Sequence, residues 1–276
     1  MVVQQQIVSM VDFPARTVLL GSSAHTPSEE PPHPVELSAF GLADRCVSAA
    51  EFHAFLLDAS GAVGHTWIDC IDPCFVVHSA AGFELRPGCG AFPMIQINYW
   101  AAAAYCNWLS RREGLPTVYD LAAGTSSMDV DGYRLPTEAE WESACRDGFP
   151  TPFPVDSDRV NSADAGPACR RLRAGEQHLG AFLPDQPAPV PVASLPADAA
   201  GLFEMLGNVR EWCHDRYGPY APGLARNPTG ARRGFFRVVR GGSFVDPGPE
   251  LGPERRMAAH EDTRCEVYGF RVARSR

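Results

Sequence analysis

The sequence predicts an α+β fold with two main helices, short strands and many ordered loops. Three observations predict it. Capping residues stand ahead of helical apolar periods at two places, Asn98 and Thr137. The other apolar runs are short and end at glycine or proline. A long proline-rich stretch, residues 149–195, separates segments that must pack together, so it reads as ordered loop.

Taken in order, residues 11–21 read as a strand broken by Pro14 and ended by Gly21. Residues 28–34 form a proline-rich loop, and residues 35–40 a second short strand. Ser48-Ala-Ala-Glu51 fits a capping box ahead of an apolar face made by Phe52, Phe55 and Leu56. Asn98 caps a helix over residues 99–112, with Trp100, Ala104 and Trp108 on one face. Gly114 ends that helix and Pro116 follows it. Residues 118–131 are polar and read as a hairpin. Thr137-Glu-Ala-Glu140 is a second capping box, opening a helix through Arg146 anchored by Trp141. Residues 237–244 and 268–273 read as strands. No repeat is evident, and one domain over residues 1–276 accounts for the pattern.

Composition excludes several classes. Hydrophobic residues make up 45% and aromatics 10%, which is a folded chain and not a disordered one. A net charge of −9 argues against a nucleic-acid partner. No apolar run is long enough for a membrane span, and the first residues lack the basic and apolar regions of a signal peptide. The chain therefore reads as cytoplasmic, and its nine cysteines as mostly buried, reduced thiols. Cys70-x-x-x-Cys74-x-x-x-His78 could supply zinc ligands. However, His65 and Cys89 fall at no zinc spacing, and Cys70, Asp72 and Cys74 alternate as on one face of a strand, so packed strand residues are the preferred reading.

The stretch from Gly201 to Trp212 organises the rest. Glu204 and Glu211 bracket a Gly207-Asn208 turn. Two carboxylates and turn carbonyls are hard oxygen ligands suited to calcium. On spacing alone, a solvated turn with two surface glutamates is the simpler reading. Its company changes the balance: Ala104-Tyr-Cys-Asn-Trp-Leu109, Tyr133-Arg-Leu-Pro-Thr-Glu-Ala-Glu-Trp141, Arg237-Val-Val-Arg-Gly-Gly-Ser-Phe244 and Tyr268-Gly-Phe-Arg-Val-Ala273. In this order the five blocks resemble the formylglycine-generating enzyme family, also called the sulfatase-modifying factor family, from about Phe13 to Ala273.

The resemblance implies a divergent C-type-lectin-like fold, with Glu29 and His33 in an early loop. It also implies structural calcium. Glu204 and Glu211 would supply side-chain oxygens and Gly207 and Val209 carbonyls, while Asn161, with Asp185 as partner, would serve another ion. Formylglycine synthesis in the family uses two cysteines that bind copper(I) just after the Arg-Gly-Gly-Ser block. Here Asp246 and Leu251 stand there, and carboxylate and leucine cannot replace thiolates for copper(I). The usual route is therefore not expected.

Three readings follow. The first is an oxygen-using oxidative tailoring enzyme acting on a peptide or small molecule in the C-terminal cleft, with iron or copper as its redox metal. Its side chains would come from Asp246, Glu250, His260, Glu261 and Asp262, with Asp246, His260 and Glu261 as the catalytic set. The second is a non-catalytic ligand- or protein-binding module stabilised by calcium. The third is an inactive relative serving as a scaffold. The first is preferred because the acidic, histidine-bearing stretch lies where the family does its chemistry. Strand alternation puts Cys213 in the core and His214 on the surface. Arg210, where the family commonly has tryptophan, reads as a surface contact.

Overall fold

The computed structural model describes residues 8–24, 26–58, 66–71, 74–149, 159–166, 169 and 187–276. His65, Asp72 and Asp185 lie outside these residues, as does most of the proline-rich stretch. The described strands are β1 (Met10–Phe13), β2 (Arg16–Leu20), β3 (His33–Leu37), β4 (Phe40–Ala43), β5 (Val76–Ser79), β6 (Gly82–Leu85), β7 (Tyr119–Asp120), β8 (Thr125–Ser126), β9 (Tyr133–Arg134), β10 (Arg210–Arg216), β11 (Ala225–Arg226), β12 (Phe236–Arg240), β13 (Arg256–His260), β14 (Tyr268–Gly269) and β15 (Ala273–Ser275). The helices are α1 (Ala49–Asp58), α2 (Tyr99–Arg112) and α3 (Glu138–Gly148). None is long and apolar enough to cross a membrane.

The α+β class is as expected, and the described residues include three bounded α-helices where two main ones were expected. The Ser48 capping box opens a full ten-residue helix, α1: Ser48 N–H donates to Glu51 Oε2 at 2.8 Å, and Glu51 N–H to Ser48 Oγ at 3.3 Å. Asn98 Oδ1 accepts from Ala101 N–H at 2.9 Å and starts α2 at the expected residue. Thr137 and Glu140 form the reciprocal box at α3. Thr137→Ala should cost about 1 kcal/mol, read as a lower urea midpoint; an unchanged midpoint would remove the cap from the account.

Two four-stranded sheets frame the molecule, in the orders β1-β4-β15-β9 and β13-β12-β10-β14. A three-stranded sheet, β11-β3-β2, and the hairpins β5-β6 and β7-β8 complete it. Pro14 splits the first predicted strand into β1 and β2, which join different sheets. β13 was not predicted; its residues were read as loop. It pairs antiparallel with β12 from Phe236 against His260 to Arg240 against Arg256.

The blocks read in the sequence are wired to one another by buried ions. Three glutamates of α3 reach three different strands. Glu138 holds Arg256 of β13 through two hydrogen bonds, at 2.7 and 2.6 Å. Glu140 holds Arg134 of β9 at 2.6 and 2.7 Å. Glu142 accepts from Arg240 of β12 and, at 2.9 Å, from the backbone N–H of Gly21. Arg240 also donates to the carbonyls of Glu254 and Arg255 at 2.9 and 2.8 Å. A fourth pair, Glu211 of β10 with Arg271, ties the central turn to the C-terminal strands. Three of these four pairs are two-pronged and fix direction as well as distance, so they set the register between helix and sheet.

Candidate functional site

Downstream of β12 the chain turns through Gly241 and Gly242 at φ +89° and +68°. A side chain at Gly242 would run into Leu251, so the backbone can lie flat only with glycine there. Above this floor is a cavity of about 410 Å³. Its walls include Glu29, Arg210, Asp246, Leu251 and Arg255. Asp246 and Leu251, at the positions where the family resemblance puts two thiols, thus both face the expected cleft. The size is within the usual range of small-molecule sites, roughly 300–1,000 Å³.

Two ion pairs shape the cavity. Arg210 pairs with Asp246 Oδ1 and lies 6.0 Å from the Tyr268 ring. It is therefore a wall of the cleft, not the surface contact that was expected. Asp246 Oδ2 accepts from Ser243 N–H at 2.7 Å and Ser243 Oγ–H at 2.8 Å. Arg255 pairs with Glu29 Oε1 at 3.2 Å, and Thr26 Oγ1 donates to the same oxygen at 3.0 Å. Glu29 is only 1% exposed, and its Oε2 is buried without a donor. An unsatisfied buried carboxylate oxygen costs stability and marks a place where a ligand N–H or O–H would be accepted.

The three residues expected to be catalytic do not converge. Asp246 lines this cleft with its carboxylate engaged. Glu261 pairs with Arg237 at 3.0 Å, beside a different cavity. His260 ends β13 on the surface, against the rings of Phe235 and Phe236. Adjacent residues of a strand point to opposite sides, which separates His260 from Ala259 and its neighbours across β12.

Among the described residues no group of three or more His, Cys, Asp or Glu is placed to hold a metal. Seven of the nine cysteines are buried, and the half-buried pair, Cys70 and Cys265, belong to separate loops. Burial pushes the Cys74 thiol up to about 12, so it stays protonated as a packed side chain.

The two carboxylates of the calcium set are engaged by other donors. Both carboxylates are buried, so the surface turn that spacing alone suggested is not what forms. Glu211 is 0% exposed, and each of its oxygens accepts two donors. Oε2 takes Arg271 Nε at 2.7 Å and Trp141 Nε1 at 2.9 Å; Oε1 takes Arg271 Nη2 at 2.7 Å and Cys46 Sγ at 3.3 Å. Glu204 accepts the N–H groups of Ala193 and Leu195 at 2.9 and 3.1 Å. Burial raises its pKa while these bonds lower it. Asn161 donates to Ala188 O at 2.9 Å and to Asn208 Oδ1 at 3.1 Å. Gly207, at φ +78°, presses against the Asn161 carbonyl, and Val209 packs in the core. As they stand, the Glu204 and Glu211 carboxylates serve arginine, indole, thiol and backbone donors, and these two side chains do not present open ligands for calcium.

His214 is buried, at 7% exposure, where strand alternation predicted a surface residue. Residues 211–215 of β10 are all buried, so both faces of the strand are covered, and Tyr119 packs against the ring on the side expected to face solvent. Tyr119 accepts Leu135 N–H at 3.0 Å, so its own hydroxyl is free to donate to His214 Nδ1, 3.3 Å away. Cys213 is in the core, as expected.

Comparison with known proteins places these features. The family described as the sulfatase-modifying factor enzyme 1-like domain matches residues 2–276. The chain is 25% identical to serine/threonine-protein kinase pkn1 of Chlamydia caviae over 98% of its own length, and it spans 38% of that kinase. It is 28% identical to the formylglycine-generating enzyme of Streptomyces coelicolor, covering 89% of this chain and 81% of that one. The hercynine oxygenase of Mycolicibacterium thermoresistibile is also 28% identical, with 89% and 53% covered. Among solved structures, Treponema denticola variable protein 1 superposes with a TM-score of 0.72 at 22% identity, covering 97% of this chain and 95% of that one. PvdO of Pseudomonas aeruginosa superposes with a TM-score of 0.71 at 24% identity, covering 97% and 94%.

Proposed function

This chain belongs to the sulfatase-modifying factor enzyme 1-like family, and from that premise we propose that it is a ligand-binding member whose C-terminal cleft takes up a peptide or small molecule. The observation that carries this reading is the cleft itself, about 410 Å³, with buried Glu29 on its wall holding one carboxylate oxygen without a donor. A ligand amide, amine or hydroxyl would supply that donor, and the Arg210–Asp246 and Arg255–Glu29 pairs would orient its remaining polar groups.

The test is a thermal-shift screen of short peptides and amines, followed by calorimetry on each hit. Hits should lose about tenfold in affinity in Glu29→Gln and Arg255→Gln, since a charge-assisted bond contributes about 1.4 kcal/mol or more. Hits that bind both variants as tightly as the parent would sink the assignment to this cleft.

A second reading, oxidative tailoring with molecular oxygen, is favoured by the likeness to a formylglycine-generating enzyme and a hercynine oxygenase. Elemental analysis of the purified protein separates the two. Iron or copper that is lost in Asp246→Ala, together with oxygen consumption, would replace the binding reading with the catalytic one.

A further inference from the structure

A further cavity, of about 350 Å³, lies apart from the C-terminal cleft and shares no lining residue with it. Three arginines line it: Arg216 at the end of β10, Arg232 in the loop before β12, and Arg237 in β12. The other walls are Tyr99 and Trp100 at the start of α2, and Tyr119 with the 124–126 turn of the β7-β8 hairpin. No carboxylate lines it, although the chain carries 33 acidic and only 24 basic residues.

The three guanidinium groups are not equally spent. Arg237 pairs with Glu261 at 3.0 Å, donates to the His214 carbonyl at 3.0 Å, and stands 3.9 Å from the Tyr99 ring centroid. Among the described residues Arg216 donates only to a carbonyl, that of Gly234, at 3.1 Å. Neither Arg216 nor Arg232 has a carboxylate partner among the described residues. One carboxylate against three guanidiniums leaves two uncompensated positive charges around the cavity. The N-terminus of α2, fourteen residues long, adds its partial positive charge on the same side. Buried His214 reports that field: burial comes first, and then Arg237, Arg134 and Arg216, in holding its ring neutral, with a pKa of about 3.

We propose that this cavity is a binding site for a phosphate monoester carrying a planar ring. The dianion matches the two uncompensated charges, and arginine forks suit phosphate oxygens. Thr125 and Ser126 line the cavity and offer hydroxyl donors. The half-buried Trp100 indole offers a face for the ring. The site shares no lining residue with the C-terminal cleft, so it stands whatever that cleft binds.

Phenyl phosphate is the probe, titrated calorimetrically into the full chain, with inorganic phosphate and benzoate in parallel. Saturable binding of phenyl phosphate is expected, about tenfold tighter than either comparison ligand. Affinity should fall about tenfold in Arg216→Gln and in Arg232→Gln, and stay unchanged in Arg255→Gln. Circular dichroism of each variant confirms that it is folded. Three results would overturn the proposal: no saturation by phenyl phosphate, equal affinity for inorganic phosphate, or undiminished binding in both arginine variants. The last would mark the binding as non-specific attraction to surface charge.

Discussion

Arg271→Leu should lower the free energy of unfolding by about 3–5 kcal/mol, because it leaves the Glu211 carboxylate buried without its counter-ion. Both side chains are fully buried, and Arg271 supplies two of the four hydrogen bonds that Glu211 accepts. It also reaches the carbonyls of Ala43 and Phe203, at 3.1 and 2.8 Å, so one guanidinium joins β4, the 201–208 turn and β10. The measurement is urea unfolding, read as a lower midpoint with an unchanged slope. Adding Glu211→Gln to Arg271→Leu should recover part of the loss, since the stranded charge is then gone. A loss under about 1 kcal/mol would mean that the pair is not what holds this turn. Chelation supplies the contrast. Because Glu211 is satisfied by Arg271, Trp141 and Cys46, excess chelator should leave the midpoint where it was. A chelator-sensitive midpoint, restored by calcium, would reinstate the ligand set that the family resemblance implied.

The second large effect is acid destabilisation through His214. Its ordinary value of 6.5 falls to about 3 in the folded chain, chiefly through burial and then through Arg237, Arg134 and Arg216. Above pH 6.5 the ring is neutral in both states and costs nothing. Between pH 6.5 and about 3 the unfolded chain takes up a proton that the native chain refuses, so stability falls as pH falls. At roughly 1.4 kcal/mol per pH unit, the full interval amounts to several kcal/mol. Asp215, beside it, acts with the opposite sign: burial and Glu138 raise its pKa, so acid relieves a cost there. The His214 contribution is therefore read as a difference from His214→Gln, which keeps an acceptor for Tyr119. The parent should lose stability faster than the variant from pH 6.5 downward. Parallel stability curves would show that the ring does not titrate as described.

Much of the architecture was legible because it is locally encoded. Asn98 and Thr137 fix where α2 and α3 begin through hydrogen bonds spanning three residues, and such signals survive any tertiary context. Pro14 and Gly114 punctuate for equally local reasons. The cleft was found by the position of Asp246 and Leu251 after the Arg-Gly-Gly-Ser block, and both line it. β13 went unread because its exposed Met257 and His260 break the apolar alternation that a half-buried strand normally shows. His214 was misplaced because β10 is buried on both faces, so alternation puts it opposite Cys213 without putting it in solvent. Glu29 was noted only through the family resemblance, since nothing around it in the sequence signals a buried carboxylate.

The sequence by itself determined the fold class, the helix starts, the order of the blocks and the loss of the paired thiols. Each of these depends on residue type and short spacing. Only the tertiary structure decided which charges meet. Glu211 finds Arg271 sixty residues later, and Glu138 finds Arg256 after 118. The same carboxylate is a calcium ligand or an arginine partner according to what the fold packs against it. That choice is made by burial, which raises the cost of any unpaired charge and leaves a geometry in which each carboxylate keeps the donors within its reach.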